Sequence, residues 1–426
     1  MAKKLVLPKV RKSPVTHIEN HIREHVIGQD RPIREIARAM ERAYAGLKDP
    51  ERPVATLAFF GPTGSGKTLA TKVLATSWRT HKVWQCRRFK ECDFQVTEED
   101  KDKGTRVPPI CPLHKQERNF DIPVDETEIP NIWIIDCANL SGSLEHAMTT
   151  LMGSPPSYVG NDIPPRLAGG KAPRVVVFDE AEKALLTQNW KGGQSTFANI
   201  LLKILDEGRI TNNRNEEVDF RNSIIILTGN LGAAEILQEF EGRRLGYRTG
   251  GTRRDISKMT DKEVMEINQR IYQVVKEKAK REFAPEFLNR LDRLVVFHFL
   301  TRSDYDQILD LELAEFQNRI NANEKPKPQF VVTYTPKART ALLDESMSNR
   351  SLGARTLKRV IEKRIVTRIS EFLNEDLIRD GDHLEARVRK ERRPEGKFEK
   401  TVVFYRMDQD ESRLLLSPQE EGKGSE

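Results

Sequence analysis

A glycine-rich segment, GPTGSGKT, has the residue types and spacing of a phosphate-binding loop. It stands between a compact apolar run, VATLAFF, and a segment with helical periodicity, TLATKVLATSW. Glycines allow backbone N–H groups to curl around a phosphate at a helix N-terminus, where the helix dipole also favours an anion. We therefore predict that nucleotide phosphates bind Gly61, Pro62, Thr63, Gly64, Ser65, Gly66, Lys67 and Thr68.

Five polar side chains are candidates for the chemistry of ATP hydrolysis. Lys67 would reach the β- and γ-phosphates, and the Thr68 hydroxyl would help to hold Mg²⁺. Asp179 and Glu180 follow the apolar run VVVF, and Asn230 follows IIILTG. Asp179 would orient the water shell of Mg²⁺ and Glu180 would polarise the attacking water. Asn230 would align that water, although an Asn after a strand is more often a turn residue.

A second candidate site is a group of cysteines between the first nucleotide helix and the run IWIID. Cys86, Cys92, Cys111 and His114 follow the spacing C-x5-C, eighteen residues, then C-x2-H. Three thiolates and one imidazole would form a closed tetrahedral Zn²⁺ site, with His81 as a substitute ligand. The alternative is a flexible loop with reduced surface cysteines, and the spacing leaves both interpretations open.

The elements that must position these residues predict an α/β fold. Short apolar runs at 132–136, 174–180 and 222–230 alternate with helical segments, which indicates a parallel sheet covered on both faces. Beyond residue 298 the pattern changes to amphipathic helices around 302–322, 336–346 and 353–379, followed by a charged, β-like tail. We predict the following organisation: an N-terminal extension at 1–15, a large domain at 16–298 with an insert at 79–130, a small, mostly helical domain at 299–406, and a disordered tail at 407–426.

Composition narrows the class of protein only slightly. The chain of 426 residues is 37% hydrophobic and 32% charged, and no apolar run approaches the roughly 20 residues of a membrane span. We find no export signal and expect a cytoplasmic protein. The net charge of +7 could attract nucleic acid, but both signs are mixed along the chain, which favours a solvated surface.

Further motifs carry a family resemblance. HVIGQD, GSPPSYVG, FAPEFLNRLDRLVVF and LGARTLKR occur in order with the segments described above. With them, the sequence resembles the Clp group of AAA+ protein unfoldases, above all the C-terminal ATPase ring of ClpA, ClpB and ClpC. The resemblance runs from residue 16 to about 385, apart from the cysteine-bearing insert, and implies a single ATPase ring.

The resemblance assigns further roles around the nucleotide. Val26 and Ile27 would border the adenine, and Arg290 would be an arginine finger that reaches the site of a neighbouring subunit. Arg355 would contact the nucleotide from the small domain. A finger supplied in trans requires head-to-tail contacts, and the family forms homohexamers.

The resemblance also implies contacts with polypeptides. Tyr158, Val159 and Gly160 correspond to the pore loop that grips an unfolded chain, and residues 212–217 correspond to a second, polar pore loop. Leu245, Gly246 and Tyr247 occupy the place of a loop that docks a ClpP-type peptidase, although the usual third residue is Phe or Leu. The insert could serve as a platform for substrates or an adaptor protein.

The predicted function is therefore an ATP-dependent unfoldase that threads polypeptides through a hexameric pore. A remodeller of protein complexes that works without a peptidase is an alternative from the same class. An ATPase acting on nucleic acid, with the insert as a DNA-binding finger, is a third hypothesis, and the SYVG and GAR motifs argue against it.

Overall fold

The structure is a computed structural model, and it describes the following residues: 14–46, 48–78, 80–86, 95–97, 124–130, 132–140, 149–154, 167, 170–185, 196–233, 235, 259–322, 328–348, 350–392, 398–407 and 412–415. The strands are β1 Ala55–Phe60, β2 Thr80–Cys86, β3 Gln95–Thr97, β4 Val124–Pro130, β5 Ile132–Asp136, β6 Gly170–Lys171, β7 Val175–Asp179, β8 Arg209–Thr211, β9 Glu217–Asp219, β10 Ile224–Gly229, β11 Arg293–Val296, β12 Val331–Tyr334, β13 His383–Arg392, β14 Phe398–Met407 and β15 Ser412–Leu415. The helices are α1 Pro14–His25, α2 Asp30–Tyr44, α3 Lys67–Trp78, α4 Ala181–Leu185, α5 Thr196–Glu207, α6 Asp261–Glu282, α7 Pro285–Leu288, α8 Arg302–Asn321, α9 Pro336–Met347, α10 Ala354–Ile361 and α11 Thr367–Asn374. None of the described helices is long and apolar enough to cross a membrane.

Two compact units make up the described chain. The first takes its residues from Met1–Phe60, Lys67–Leu231 and Val275–Phe297, and the second from Gly61–Gly66, Gly232–Val274 and His298–Glu426.

A five-stranded sheet forms the centre of the first unit. Its order is β11-β1-β10-β7-β5, and all of its pairs are parallel. Every residue of β1 and β10 is buried, as expected for strands covered on both faces. Burial of each Val, Ile or Leu side chain there contributes roughly 1.5–3 kcal/mol. The predicted strands and the parallel sheet are confirmed.

The predicted N-terminal helical segment is two helices with a break. α1 ends at His25 and α2 begins at Asp30. Gly28 lies in the turn with φ 73°, a left-handed conformation that a helix cannot continue through. One face of α1 packs into the core of this unit through Val15, Ile18 and Ile22.

The insert contributes strands of its own. β2 is the middle strand of a three-stranded sheet of order β3-β2-β4, and both of its pairings are antiparallel. Strand formation from so charged a sequence as VDETEIP was not predicted, because its Asp, Glu and Pro residues have a low propensity for β-structure.

The second unit combines helices α8 to α11 with a four-stranded sheet of order β12-β13-β14-β15. Its core includes Tyr305, Leu309, Leu342, Leu357 and Phe404. Together with the parallel sheet, this helical module ending in strands confirms the predicted fold class.

Candidate nucleotide site

The carboxyl edge of the parallel sheet gathers four predicted catalytic residues of the first unit: Lys67, Asp179, Glu180 and Asn230. Lys67 is the first residue of α3, and its largely buried Nζ donates a hydrogen bond to Asn230 Oδ1 at 3.0 Å. Asn230 follows β10, the strand next to β1. Parallel strands end at one edge of a sheet, which is why residues 163 positions apart meet here.

Asp179 and Glu180 lie at the end of the neighbouring strand, β7, and one hydroxyl contacts both. Thr228 Oγ1 donates to Asp179 Oδ1 and accepts the backbone N–H of Glu180 at 3.3 Å. The Glu180 carboxylate forms an ion pair with Lys183, which raises the pKa of that lysine. Glu180 has φ 53°, a conformation that costs a non-glycine residue on the order of 1–3 kcal/mol and that clusters at functional sites.

Glu182 is a buried acidic residue beside this group. Its Oε1 accepts the backbone N–H of Asn230 at 2.9 Å. Burial raises the pKa of Glu182, and the hydrogen bond from Asn230 offsets part of that effect. Gly229 provides the room, since a Cβ there would lie 2.4 Å from Glu182 Oε2. Glu182 thus fixes the backbone at Asn230, while the Asn230 side chain contacts Lys67.

Thr228 and Glu182 were not predicted from the sequence. Each lies two residues from a predicted catalytic residue, within ILTGN and DEAEKA, and both motifs could have directed attention to them. The contacts of Thr228 with Asp179 and of Glu182 with Asn230 could not be read from the sequence, because they depend on the register of β7 against β10.

The donor set at this edge suits Mg²⁺. Thr68 and Asp179 offer a hydroxyl and a carboxylate, the hard oxygen ligands that Mg²⁺ prefers. Thr228 already holds one oxygen of Asp179, which limits the orientations of that carboxylate.

Glycines of the phosphate loop contact the small helical module within the second unit. Ala354, the first residue of α10, donates its backbone N–H to the Gly64 carbonyl at 3.0 Å. Gly64 and Gly353 have φ 69° and 58°. A Cβ on Gly353 would lie 2.5 Å from the Gly64 carbonyl oxygen. Arg355 is exposed on the first turn of α10, one residue beyond this contact.

Arg290 is held by an acidic side chain of the same unit. Its Nε lies 2.8 and 2.7 Å from the two carboxylate oxygens of Asp206, and its Nη1 donates to the Glu286 carbonyl at 2.7 Å. The side chain remains 30% exposed. In a single chain, therefore, the guanidinium is paired with a residue of α5.

Val26 and Ile27, the residues predicted to border adenine, follow α1 directly. Val26 is buried in the core of the first unit, and Ile27 is half-buried.

Several predicted residues lie outside the described part of the chain. These are Tyr158, Val159 and Gly160 of the aromatic loop, Leu245, Gly246 and Tyr247 of the docking loop, and Cys92, Cys111 and His114 of the cysteine group. Cys86 is the last residue of β2. Cys137, outside the group, is buried, and burial raises the pKa of its thiol far above the usual range.

The polar loop 212–217 forms the turn of the β8–β9 hairpin. Its Asn212 is buried and donates to the Leu167 carbonyl at 3.1 Å. Asn213 donates its backbone N–H to the Met152 carbonyl at 2.9 Å and its side-chain amide to the Gly153 carbonyl. Met152 and Gly153 directly precede the aromatic loop, so the hairpin holds the start of that loop.

Comparison with known proteins places this site in a family. Residues 52–294 match the model of the AAA domain (Cdc48 subfamily), and residues 300–386 match the C-terminal, D2-small domain of ClpB protein. The chain belongs to the AAA family, in the group that includes the Clp ATPases.

Curated relatives agree with this assignment. The chain is 32% identical to the chloroplastic ClpA homolog of Brassica napus, "ATP-dependent Clp protease ATP-binding subunit", over 86% of this chain and 33% of the relative. It is 30% identical to ClpC/MecB of Bacillus subtilis, a negative regulator of genetic competence, over 86% of this chain and 36% of the relative. It is 29% identical to the chaperone protein ClpB of Rhodopseudomonas palustris, over 88% of this chain and 33% of the relative. The chain thus spans about a third of the length of these relatives.

Proposed function

We propose that this protein is an ATP-driven unfoldase that threads polypeptides through the pore of a homohexamer. One observation carries the proposal: the hairpin β8–β9, which holds the start of the aromatic loop, belongs to the same folded unit as Asp179, Glu180 and Asn230. A rearrangement at the carboxyl edge of the sheet during hydrolysis can thereby be transmitted through the hairpin to the residues that directly precede the loop with Tyr158.

The hydrolytic roles follow from the contacts at the sheet edge. Lys67 binds the β- and γ-phosphates, and its contact with Asn230 keeps both side chains at one place. Thr68 and Asp179 would hold Mg²⁺, which would supply positive charge to neutralise the phosphates. Glu180 accepts a proton from the attacking water, and Asn230 orients that water.

Tyr158 grips the substrate in this proposal. An aromatic ring packs against almost any side chain through a flat, amphipathic surface, which suits pulling that does not depend on sequence. Asn213 joins Met152 and Gly153, which directly precede the loop, to the β8–β9 hairpin.

The test is unfolding of a fluorescent protein with an unstructured tail in the presence of ATP. Fluorescence should fall with the wild type and with Tyr158→Phe, which keeps the ring, but not with Tyr158→Ala. All three should hydrolyse ATP at similar rates without substrate. Loss of fluorescence with Tyr158→Ala at the wild-type rate would show that this tyrosine does not grip the chain. Adding duplex DNA to the same ATPase assay tests the nucleic-acid hypothesis, which predicts stimulation that salt abolishes.

A more specific form of this proposal is that the unfoldase delivers its substrates to a peptidase. Leu245, Gly246 and Tyr247 would insert into a ClpP-type peptidase, where apolar side chains fill surface pockets. Tyr247→Asp should then stop degradation of the tailed substrate while unfolding continues. Equal degradation by the wild type and Tyr247→Asp would contradict the docking role. Unfolding without degradation by either protein would favour a remodeller that works without a peptidase.

A zinc module is proposed for the insert, with Cys86, Cys92, Cys111 and His114 as ligands. A metal would fold this polar segment, which has little apolar core of its own. Cys111→Ser should lower the zinc content per chain by one and change the choice of substrate or adaptor. Full zinc content in that variant would contradict the ligand set.

A further inference from the structure

Three histidines repeat along one face of α1, at His17, His21 and His25. Residues four apart on a helix lie on the same side, with their Cβ atoms about 5–6 Å apart. The rings of His21 and His25 have centroids 4.6 Å apart, and those of His17 and His21 are stacked at 6.3 Å. Glu24 adds a carboxylate to this face, with Oε2 3.8 Å from His21 Nδ1. We call His21, Glu24 and His25 the α1 triad.

The ligand atoms of the α1 triad are close enough for one metal ion. One atom from each side chain can be chosen such that all lie within 4.8 Å of one another. Two ligand atoms at about 2.1 Å from a tetrahedral zinc ion lie about 3.4 Å apart, so the most distant pair needs to close by up to about 1.4 Å. The three side chains lie at the surface and can make that shift.

A hydrogen bond fixes the tautomer of His25, and therefore which of its ring nitrogens can bind a metal. His25 Nδ1 lies 2.9 Å from the His21 carbonyl oxygen. A carbonyl only accepts, so Nδ1 carries the proton, and the lone pair of the neutral ring is on Nε2. Metal-binding histidines are commonly oriented by such a bond from the nitrogen that does not bind the metal.

The basic residue next to Glu24 leaves the Glu24 carboxylate available to a cation. Arg23, the nearest basic residue in the sequence, hydrogen-bonds Glu19 at 2.7 Å and contacts Asp30. Its charge is therefore taken by carboxylates outside the α1 triad. A neighbouring face of the helix is fixed in the core through Val15, Ile18 and Ile22, which holds the backbone of the triad in place.

We propose that the α1 triad binds one divalent transition-metal ion of the Zn²⁺ type. Two imidazoles and a carboxylate suit Zn²⁺, Ni²⁺ or Co²⁺, whereas Ca²⁺ and Mg²⁺ prefer oxygen ligands alone. This site is separate from the cysteine group of the insert and does not rest on the proposed unfoldase function.

The test uses Co²⁺ and Zn²⁺ as probes on the full chain. Cys92→Ser and Cys111→Ser are introduced first, so that thiolates of the insert do not take the metal. Titration followed by visible absorption for Co²⁺, and by calorimetry for Zn²⁺, should show one equivalent without a thiolate charge-transfer band. His21→Asn, His25→Asn and Glu24→Gln should each weaken binding at least about tenfold.

Two controls accompany the triad variants. His383→Asn removes an exposed histidine of the second unit, and Asn20→Ala changes another exposed residue of α1; both should bind as the parent does. Circular dichroism confirms that the variants fold. Unchanged affinity in the double variant His21→Asn/His25→Asn would overturn the proposal, as would a parent dissociation constant weaker than about 1 mM, which corresponds to only about 4 kcal/mol.

Discussion

At the scale of single residues, the Thr228 hydroxyl contacts both acidic residues at the end of β7. It donates to the Asp179 carboxylate and accepts the backbone N–H of Glu180. A buried N–H without a partner costs about 1–3 kcal/mol. The expected role of Thr228 is to hold the Asp179 carboxylate and the backbone of Glu180 in one arrangement.

Replacing Thr228 tests that role. Thr228→Val has nearly the same shape but lacks the hydroxyl, and it should lower the rate of ATP hydrolysis at saturating ATP about tenfold or more. Thr228→Ser keeps the hydroxyl and should retain most of the rate. Steady-state ATPase kinetics distinguish the two. Equal rates for the valine and serine variants would contradict a role of the hydroxyl.

Glu182 contributes a pH dependence of stability. Burial raises the pKa of Glu182 above the usual 4.5, so the folded protein binds this proton more tightly than the unfolded chain. The stabilisation that comes from binding this proton is therefore complete below about pH 4.5, and it is lost as the pH rises through the raised pKa of Glu182. Glu182→Gln removes the titrating group but keeps an oxygen that can accept from Asn230.

The difference between wild type and Glu182→Gln should follow that change. From about pH 4.5 upward, the free energy of unfolding of the wild type should fall relative to the variant and then level off. Urea unfolding at a series of pH values measures this. Glu277→Gln, at an exposed position of α6, should show no such pH-dependent difference. Parallel curves for wild type and Glu182→Gln would show that the raised pKa has no effect on stability.

At the scale of elements, the close approach of the phosphate loop to the start of α10 requires two glycines. Gly353→Ala would place a Cβ 2.5 Å from the Gly64 carbonyl oxygen and 2.6 Å from that of Thr63, so the loop must move. Since this loop is expected to bind the phosphates, ATP affinity should fall by at least about tenfold, equivalent to roughly 1.4 kcal/mol.

A matched control separates this collision from backbone strain. Gly381 also has a positive φ, at 85°, but a Cβ there would meet nothing within 4 Å. Gly381→Ala should cost only about 1 kcal/mol of stability and leave ATP affinity unchanged. Titration with a fluorescent ATP analogue measures both variants. If both lose affinity equally, the contact between Gly64 and Gly353 is not what holds the loop.

At the scale of the whole molecule, the role expected for Arg290 depends on the assembly of subunits into a ring. It pairs with Asp206 within the chain, yet the family resemblance implies that it acts on a neighbouring subunit. An arginine finger is typically worth about 10³–10⁵ in rate. If the finger acts in trans, Arg290 must exchange Asp206 for phosphate when the ring assembles.

Mixing two inactive variants tests action in trans. Arg290→Ala keeps an intact nucleotide site, and Lys67→Ala keeps an intact finger. Each alone should be nearly inactive, while a mixture should recover part of the ATPase activity, because some interfaces combine the intact halves. The recovery should rise with protein concentration. A mixture no more active than its components would indicate that Arg290 acts only within its own chain.

Local patterns in the sequence were sufficient to predict strands β1, β5, β7 and β10 of the parallel sheet. Short apolar runs that alternate with helical segments favour buried parallel strands, and short polar motifs mark the carboxyl ends of β1, β7 and β10. The helices of the C-terminal module were predicted for the same reason, since each has a continuous helical period.

Only the tertiary structure determined which groups meet. The contacts of Lys67 with Asn230, of Thr228 with Asp179 and of Arg290 with Asp206 join residues 163, 49 and 84 positions apart. Strand order and register bring them together, and no local pattern contains that information. The charged strand β4 shows the same limit: its Asp, Glu and Pro residues do not favour a strand, and the pairing with β2 could not be read from the sequence.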